Sequence, residues 1–306
     1  MIKMNNYTKA EYDLHLHSYW SYDACAPVEA YFRLARENNA RAIAIAEHFT
    51  MDSIPEILDT AKNYPDVRFI AGAEMTVNTS RGAIDMLCLG LPLKTNPELE
   101  KVFERYRRWQ RLTGSIQGER MREAGYEFGT EERLRLLRIY RPEYVIEKQG
   151  ATHVSAYLLR REFRRKGYIK NEDDFYAFMH KIRHGVSFPE YPPAEDVLPL
   201  MKKYGGVVFI AHPFHYFEED SLNIMDALRE ELAFDGIECA HPMIPAGLSS
   251  FYRKYCVKHK LLSSAGSDCH SAPEQADMKF SPKSKFLGHA GSGIWLDEIL
   301  ERVPLH

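Results

Sequence analysis

Long apolar runs are missing from this 306-residue sequence. No stretch approaches the roughly 20 residues that cross a bilayer as a helix. Residues 1–10 are polar and lack the apolar centre of a secretion signal, so a cytoplasmic protein with no membrane partner is expected. Cysteine is scarce. Cys25, Cys88, Cys239, Cys256 and Cys269 are scattered, odd in number and never spaced C-x-x-C, which argues against a disulfide framework and a thiolate zinc site. Repeats, heptads and low-complexity tracts are absent, which excludes solenoids, coiled coils and collagen-like chains. Neither sign of charge dominates, with 40 Lys+Arg against 43 Asp+Glu.

What is present is an ordinary soluble composition. Hydrophobic residues make up 45%, ample for one large α/β domain or two domains. The near-neutral total hides an asymmetry. Residues 92–198 hold 21 Lys+Arg against 17 Asp+Glu, and the remainder holds 19 against 26. A basic middle in an acidic frame suits a segment facing anions beside a body rich in carboxylates. An ordinary solvated helical surface accounts for the same counts.

The chain is organised around Asp13-Leu-His-Leu-His-Ser18. Its alternation predicts a strand, whose successive side chains point to opposite faces. His15 and His17 then share a face with Asp13 beneath them, and Leu14 and Leu16 face the other way. Two imidazoles side by side suit one metal ion, and a carboxylate behind them suits ligand orientation. Two histidines satisfied by hydrogen bonds explain this short motif equally well.

Further strands are predicted at 42–46, 68–73, 84–89, 207–211, 235–239 and 261–265, with helices near 27–39, 53–63 and 195–204. Asp52 is a candidate cap for the second helix. Apolar strands alternating with helices indicate a parallel sheet buried on both faces. Asp85 looks misplaced near the start of such a strand. From Pro92 the pattern turns helical and charged, with a cap at Asn96-Pro97 and helices predicted near 131–138, 142–148, 153–166 and 172–183. A helical subdomain over 92–198 is expected, inserted into a body of 1–91 and 199–306. His17, His48, Glu74, His212 and Asp268 fall at or just beyond strand ends. In barrels of parallel strands such ends converge on one active face.

In order, Asp13-Leu-His-Leu-His-Ser18, Ala46-Glu-His48, Gly72-Ala-Glu74, Ala211-His-Pro213 and Gly266-Ser-Asp-Cys-His270 resemble the successive motifs of the PHP (polymerase and histidinol phosphatase) superfamily. Thr152-His-Val-Ser155 followed by Lys166-Gly-Tyr-Ile-Lys170 is similar to the insertion of one branch. That branch removes phosphate from nucleoside 3′,5′-bisphosphates and trims short oligonucleotides from the 5′ end. The resemblance implies a distorted (β/α)7 barrel of the PHP type, a helical insertion over the active site, and two or three divalent metal ions. By position, His15, His17, Glu74 and Asp268 would hold the first ion. Glu74 would bridge to a second, shared with Asp85 and His212, and Asp23, His48 and His270 would hold the third. Mixed imidazole and carboxylate ligands suit Mn, Fe or Zn. A bridging carboxylate gives the roughly 3.5–4 Å separation of multi-metal phosphoesterases. The implied chemistry is phosphomonoester hydrolysis by a metal-activated hydroxide, with His153 and His212 as catalytic histidines.

The match departs from the branch in four places. Asp23 lies one residue further from His17 than usual, Glu47 stands where Asp is frequent, and Asp85 stands where His is common. Ala151-Thr152 replaces an Arg-Pro pair whose arginine grips phosphate. Lys148, Arg160 and Arg161 are candidate substitutes, and His153 and His215 candidate substrate contacts. Asp13, Glu47, Glu238 and His241 are expected to support the ligands from behind. Arg105, Arg107, Arg108 and Arg111 with Tyr106 and Trp109 form a basic-aromatic strip able to contact nucleic acid, although a solvated helix face is the commoner meaning. The expected partner is therefore a small phosphorylated substrate or a short oligonucleotide. The alternatives are a phosphatase of a non-nucleotide metabolite such as histidinol phosphate, and a non-catalytic, metal-stabilised nucleic-acid-binding module. An amidohydrolase would need a different ligand pattern.

Overall fold

Seven strands form one sheet in the computed structural model, which describes residues 10–185, 187–278 and 284–306. They are β1 (Tyr12–Leu16), β2 (Ala42–His48), β3 (Gly72–Thr79), β4 (Gly82–Leu89), β5 (Val207–Ile210), β6 (Gly236–Ala240) and β7 (Leu262–Ala265), side by side in chain order. Helices α1 (Val28–Asn38) and α2 (Ile54–Ala61) follow β1 and β2. A helical run, α3 (Pro97–Glu123), α4 (Thr130–Leu137), α5 (Glu143–Gln149), α6 (Ala156–Arg165) and α7 (Glu172–Arg183), separates β4 from α8 (Ala194–Lys203). Helices α9 (Leu222–Leu232), α10 (Ala246–His259) and α11 (Gly293–Leu300) complete the set. The fold is α/β with a parallel-rich sheet. No helix among the described residues is long and apolar enough to cross a membrane.

Three departures from the expected pattern bear on the site. First, β4 runs antiparallel to both β3 and β5, so the sheet is mixed. This explains Asp85. The beginning of an antiparallel strand lies at the rim where its parallel neighbours end, and the Asp85 carbonyl accepts from Ala211 N. Second, β3 does not stop at Glu74. It continues to Thr79 and pairs with β4 along its whole length, so Glu74 sits inside a long hairpin. Third, a register shift falls between Asp13 and Leu16 on β1. Such a bulge re-aims side chains. Leu14 packs with Tyr12 in one apolar cluster and Leu16 in another, so the simple alternation is broken.

Capping is mixed. The Asn96 side chain accepts from Glu98 N and Leu99 N, as expected of a cap. Asp52 does not cap α2; Ser53 occupies that position without a side-chain hydrogen bond, and Asp52 pairs with Arg107. Helices α9 and α10 were not anticipated. The sequence of α10, AGLSSFYRKYCVKH, has only a weak apolar stripe to betray it.

The helical run has its own core, in which Met121, Phe128, Leu137, Leu159 and Phe163 pack together. The first half of α3 belongs elsewhere: Leu99, Val102, Phe103 and Tyr106 pack into the sheet core. One helix thus ties the two cores. Helix α8 packs on β3 and β5, so the sheet body resumes before residue 198.

Gly266 follows β7 where the chain crosses behind His15. A Cβ at Gly266 would lie 2.2 Å from His15 Cβ and 2.9 Å from Glu238 Oε1. Gly266→Ala should therefore lower stability by at least about 1–3 kcal/mol and disturb His15, as chemical denaturation and metal binding would show.

Candidate metal centre

Glu74, fully buried on β3, is the meeting point of the site. Its Oε2 lies 3.2 Å from His15 Nε2, 3.2 Å from His17 Nε2 and 3.1 Å from His48 Nδ1. Its Oε1 lies 2.8 Å from His212 Nε2. Asp268 Oδ1 lies 3.2 Å from His17 Nε2 and 3.7 Å from His15 Nε2. Burial alone would raise the Glu74 carboxyl, but His15 and His48 hold it well below the usual range. Burial lowers His15, and Glu74 and Glu238 overcome this to hold it well above the ordinary imidazole value. The cluster therefore calls for positive charge, from protons or from metal ions.

Three overlapping groups offer ligand atoms within 4.8 Å of one another: His15, His17, Glu74 and Asp268; Glu74, Asp85 and His212; and His17, His48 and His270. Asp23 adjoins the last group, its Oδ1 3.4 Å from His48 Nε2 and 3.6 Å from His270 Nε2. The donor set fits divalent ions. His15 Nε2, His17 Nε2, His48 Nδ1, Asp23 Oδ1 and Glu74 Oε2 are buried and make no hydrogen bond. Ligand atoms held at about 2.0–2.2 Å from a common ion lie roughly 3.0–3.6 Å apart, as these do.

The residues behind the imidazoles fix which nitrogen faces inward. Glu238 Oε1 accepts from His15 Nδ1 at 3.0 Å, which leaves His15 Nε2 as the lone-pair nitrogen. Its other oxygen accepts from His212 N at 2.7 Å. Glu47, on β2, accepts from Ser18 N, Ser18 Oγ and Ser21 Oγ. The Ser21 hydroxyl proton is thus engaged, so His17 Nδ1 donates to Ser21 Oγ at 3.1 Å. His270 Nδ1 donates to the Asp268 carbonyl at 2.8 Å. Asp13 accepts from Ser267 N and Leu287 N, each at 2.8 Å, pinning the loop that carries Asp268. His212 (φ 28°), Asp268 (φ 51°) and Phe49 (φ 67°) adopt left-handed backbone, a strain tolerated where surrounding contacts over-determine the geometry.

The cluster opens into a basin of about 280 Å³ bounded by Asp23, His48, Asp85, His212, Asp268 and His270, with Tyr22 and Tyr191 at its edge. The same two tyrosines border a chamber of about 380 Å³ under the helical run. Trp109 stacks on Tyr191 at 4.3 Å, and His153 lies 4.2 Å from Tyr22. His153 Nδ1 is buried without a partner, and Arg183 and Gln117 also line the chamber.

Comparison with known proteins agrees with this arrangement. The model of the PHP domain matches residues 13–183. The chain belongs to the PHP domain family. The matched span holds β1 to β4 and the helical run, while the His212 and Asp268 motifs lie beyond it. A protein of Bifidobacterium adolescentis, provisionally named a metal-dependent phosphoesterase, has a similar structure. Its TM-score is 0.71 at 20% identity, over 97% of this chain and 98% of that one. An amidohydrolase of Chromobacterium violaceum, solved with bound sulfate and no metal, gives 0.68 at 19% identity over 91% and 98%. A two-domain Bacteroides vulgatus protein containing a predicted PHP-like metal-dependent phosphoesterase gives 0.47 at 16% identity, over 92% of this chain and 58% of that one. A search of curated proteins finds no match.

Several expected substrate contacts of this PHP domain point elsewhere. Lys148 is exposed on α5 and nearest Asp52, Arg160 pairs with Glu172, and the exposed Arg161 touches Met278 Sδ. None lines the basin or the chamber, because each lies on an outer helix face. His215 is exposed with its ring 5.3 Å from His212, outside the basin lining. Three arginines of the basic-aromatic strip are paired, Arg105 with Asp196, Arg107 with Asp52, Glu100 and Glu104, and Arg111 with Glu104, and Arg108 is exposed. Tyr106 is buried, donating to the Thr76 carbonyl at 2.7 Å. His241 Nε2 lies 3.9 Å from Asp268 Oδ2. Tyr22, Tyr191, Arg183 and Tyr216 escaped the sequence reading. Only Tyr22, beside Asp23, carried a positional signal. Tyr216 donates to Asp85 Oδ2 at 2.8 Å.

Glu74→Gln should reduce bound metal to roughly one ion per chain or fewer, since the shared carboxylate is lost. Glu238→Gln should keep the ions but weaken their affinity roughly 10–100-fold. Elemental analysis and metal titration of the folded variants check both.

Proposed function

We propose that this protein is a cytoplasmic metal-dependent phosphoesterase that removes phosphate from nucleotides or from the ends of short oligonucleotides. The observation that carries the reading is the joining of a carboxylate-imidazole cluster, centred on Glu74, to an aromatic-walled chamber across Tyr22 and Tyr191. His15, His17, Glu74 and Asp268 would hold one ion, and Glu74, Asp85 and His212 a second. Asp23, His48 and His270, with His17 at their edge, would hold a third. Bound there, Mn, Fe or Zn supplies the positive charge that phosphoryl transfer requires and the acidity that activates water. The reading includes a ring-like barrel. His17 N donates to the Cys269 carbonyl and Asp268 N to the His15 carbonyl, which lays the segment after β7 against β1.

The chain's own groups divide the remaining work. The basin takes the phosphate, and Trp109 and Tyr191 offer faces for a planar base. His153 stands on the chamber wall. Burial pushes its imidazole down to about 4, so it meets substrate as a neutral ring. That favours hydrogen-bond donation to the ester or phosphate over protonation of a leaving group. Ala151, in place of an arginine, makes this neutral contact more important. A non-nucleotide phosphomonoester with a small planar ring, such as histidinol phosphate, would also fit the chamber, so substrate release must decide.

The test pairs a metal count with phosphate release from nucleoside 3′,5′-bisphosphates, mononucleotides, histidinol phosphate and a 5′-phosphorylated oligonucleotide. Two or three ions with turnover of the nucleotides are expected. One ion and no turnover, even with added Mn, would instead favour the non-catalytic module. His153→Ala should lower kcat/KM by roughly 10²–10³-fold, the cost of one lost hydrogen-bond donor, while leaving bound metal unchanged. Metal loss in that variant would make His153 a ligand.

A further inference from the structure

The loop between His17 and Ala26 carries Asp23, yet the residues just before Asp23 are held largely by the helical run. Arg141, at the turn between α4 and α5, is 3% exposed. Its Nε donates to the Tyr19 carbonyl at 3.0 Å and its Nη2 to the Trp20 carbonyl at 3.1 Å. Gln149 Nε2 donates to the same Trp20 carbonyl at 2.9 Å, and Tyr140 OH to the Tyr22 carbonyl. Three carbonyls leading to Asp23 are therefore taken by one turn and one helix of the other layer. The third Arg141 donor reaches Thr152 Oγ1 at 3.3 Å, and Thr152 Oγ1 donates in turn to the His153 carbonyl. Thr152 is fully buried.

We infer that Arg141 is a positioning residue: it sets the Tyr19–Asp23 backbone against His153, so that the Asp23 carboxylate on the basin and the His153 ring on the chamber wall are held in fixed register. The guanidinium touches no substrate and no ligand side chain. It acts through backbone, and its planar fork is what allows two adjacent carbonyls and a hydroxyl to be held at once. Ala151-Thr152 stands here in place of an Arg-Pro pair before His153, and the Thr152 hydroxyl is the group through which Arg141 reaches the His153 segment. The part concerning Asp23 as a ligand rests on the metal reading above; the part concerning the loop does not.

The test is hydrogen–deuterium exchange on the full-length protein purified with its metals, joined to Mn titration. Arg141→Gln is expected to speed exchange over 18–26 by about tenfold or more, as two buried carbonyl contacts are lost, while 42–48 keeps its rate. Mn affinity at the weakest site should fall roughly tenfold, as for other groups that orient ligands. Arg141→Lys should recover part of the protection, since one donor can still reach a carbonyl. Gln149→Leu should act in the same direction with a smaller change, and it carries the test if Arg141→Gln does not fold. Unchanged exchange over 18–26, or an even rise across the whole chain, would overturn the inference. A wild-type chain that binds no metal would sink the metal reading and leave the exchange result decisive.

Discussion

A buried carboxylate needs compensating charge, and Glu74 is one with four imidazoles around it. Removing such a group from water is expensive unless it is paired and hydrogen-bonded. Much of the architecture serves to meet that demand. β3 extends beyond the rim so that Glu74 lies inside paired backbone. Glu238 reaches both His15 Nδ1 and His212 N, holding one imidazole and the backbone of a second histidine with one side chain. Ser21 and Glu47 fix the imidazole of a third. With Asp23, Asp85 and Asp268 nearby, the site gathers more negative charge than its histidines neutralise without becoming protonated. Divalent ions resolve this more completely than protons, because they also satisfy the unpartnered inward-facing atoms.

His17, His48, His212 and Asp268 were legible because they lie at or just beyond strand ends, and strand ends are marked in sequence by apolar runs that stop. What the sequence could not show is strand direction. Asp85 looked misplaced only while β4 was taken as parallel; reversed, it falls on the same rim as His48 and His212. Alternation on β1 was also too simple, since the shift between Asp13 and Leu16 leaves no trace in residue type. Lys148, Arg160 and Arg161 were chosen for charge and proximity in sequence to His153. A helix surface distributes neighbours in sequence over all directions, and these three face outward. Tyr191 and Arg183 were invisible for the converse reason, because they approach the site from the far end of the helical run.

The helical run is more than a cover. It has its own apolar core, and it meets the sheet body through the first half of α3 and through hydrogen bonds to the loop after β1. Glu56 adds to this seam, taking Trp20 Nε1 at 2.8 Å and the hydroxyls of Tyr19 and Tyr144. Polar bonds to backbone carbonyls have strict geometry, whereas apolar packing tolerates small slides. A seam built in this way transmits the position of the helical run to the loop more faithfully than an apolar interface of similar size would.

The charge of the site also bears on how it recognises an anion. The branch that the motifs resemble places an arginine before the insertion histidine and commonly a histidine at the position of Asp85. One replacement removes a positive charge and the other adds a negative one, and among the described residues the cation lining the chamber is Arg183, which is exposed. Arg141 is close by, but its donors are engaged by carbonyl and hydroxyl oxygens. Side chains alone thus present phosphate with an acidic basin and a neutral His153. Among the described residues, then, attraction for phosphate would fall to ions held by the cluster, which on the proposed reading would couple substrate affinity to metal occupancy more tightly than an arginine clamp does. The aromatic chamber would complement this arrangement, because stacking on Trp109 and Tyr191 would add affinity without adding charge.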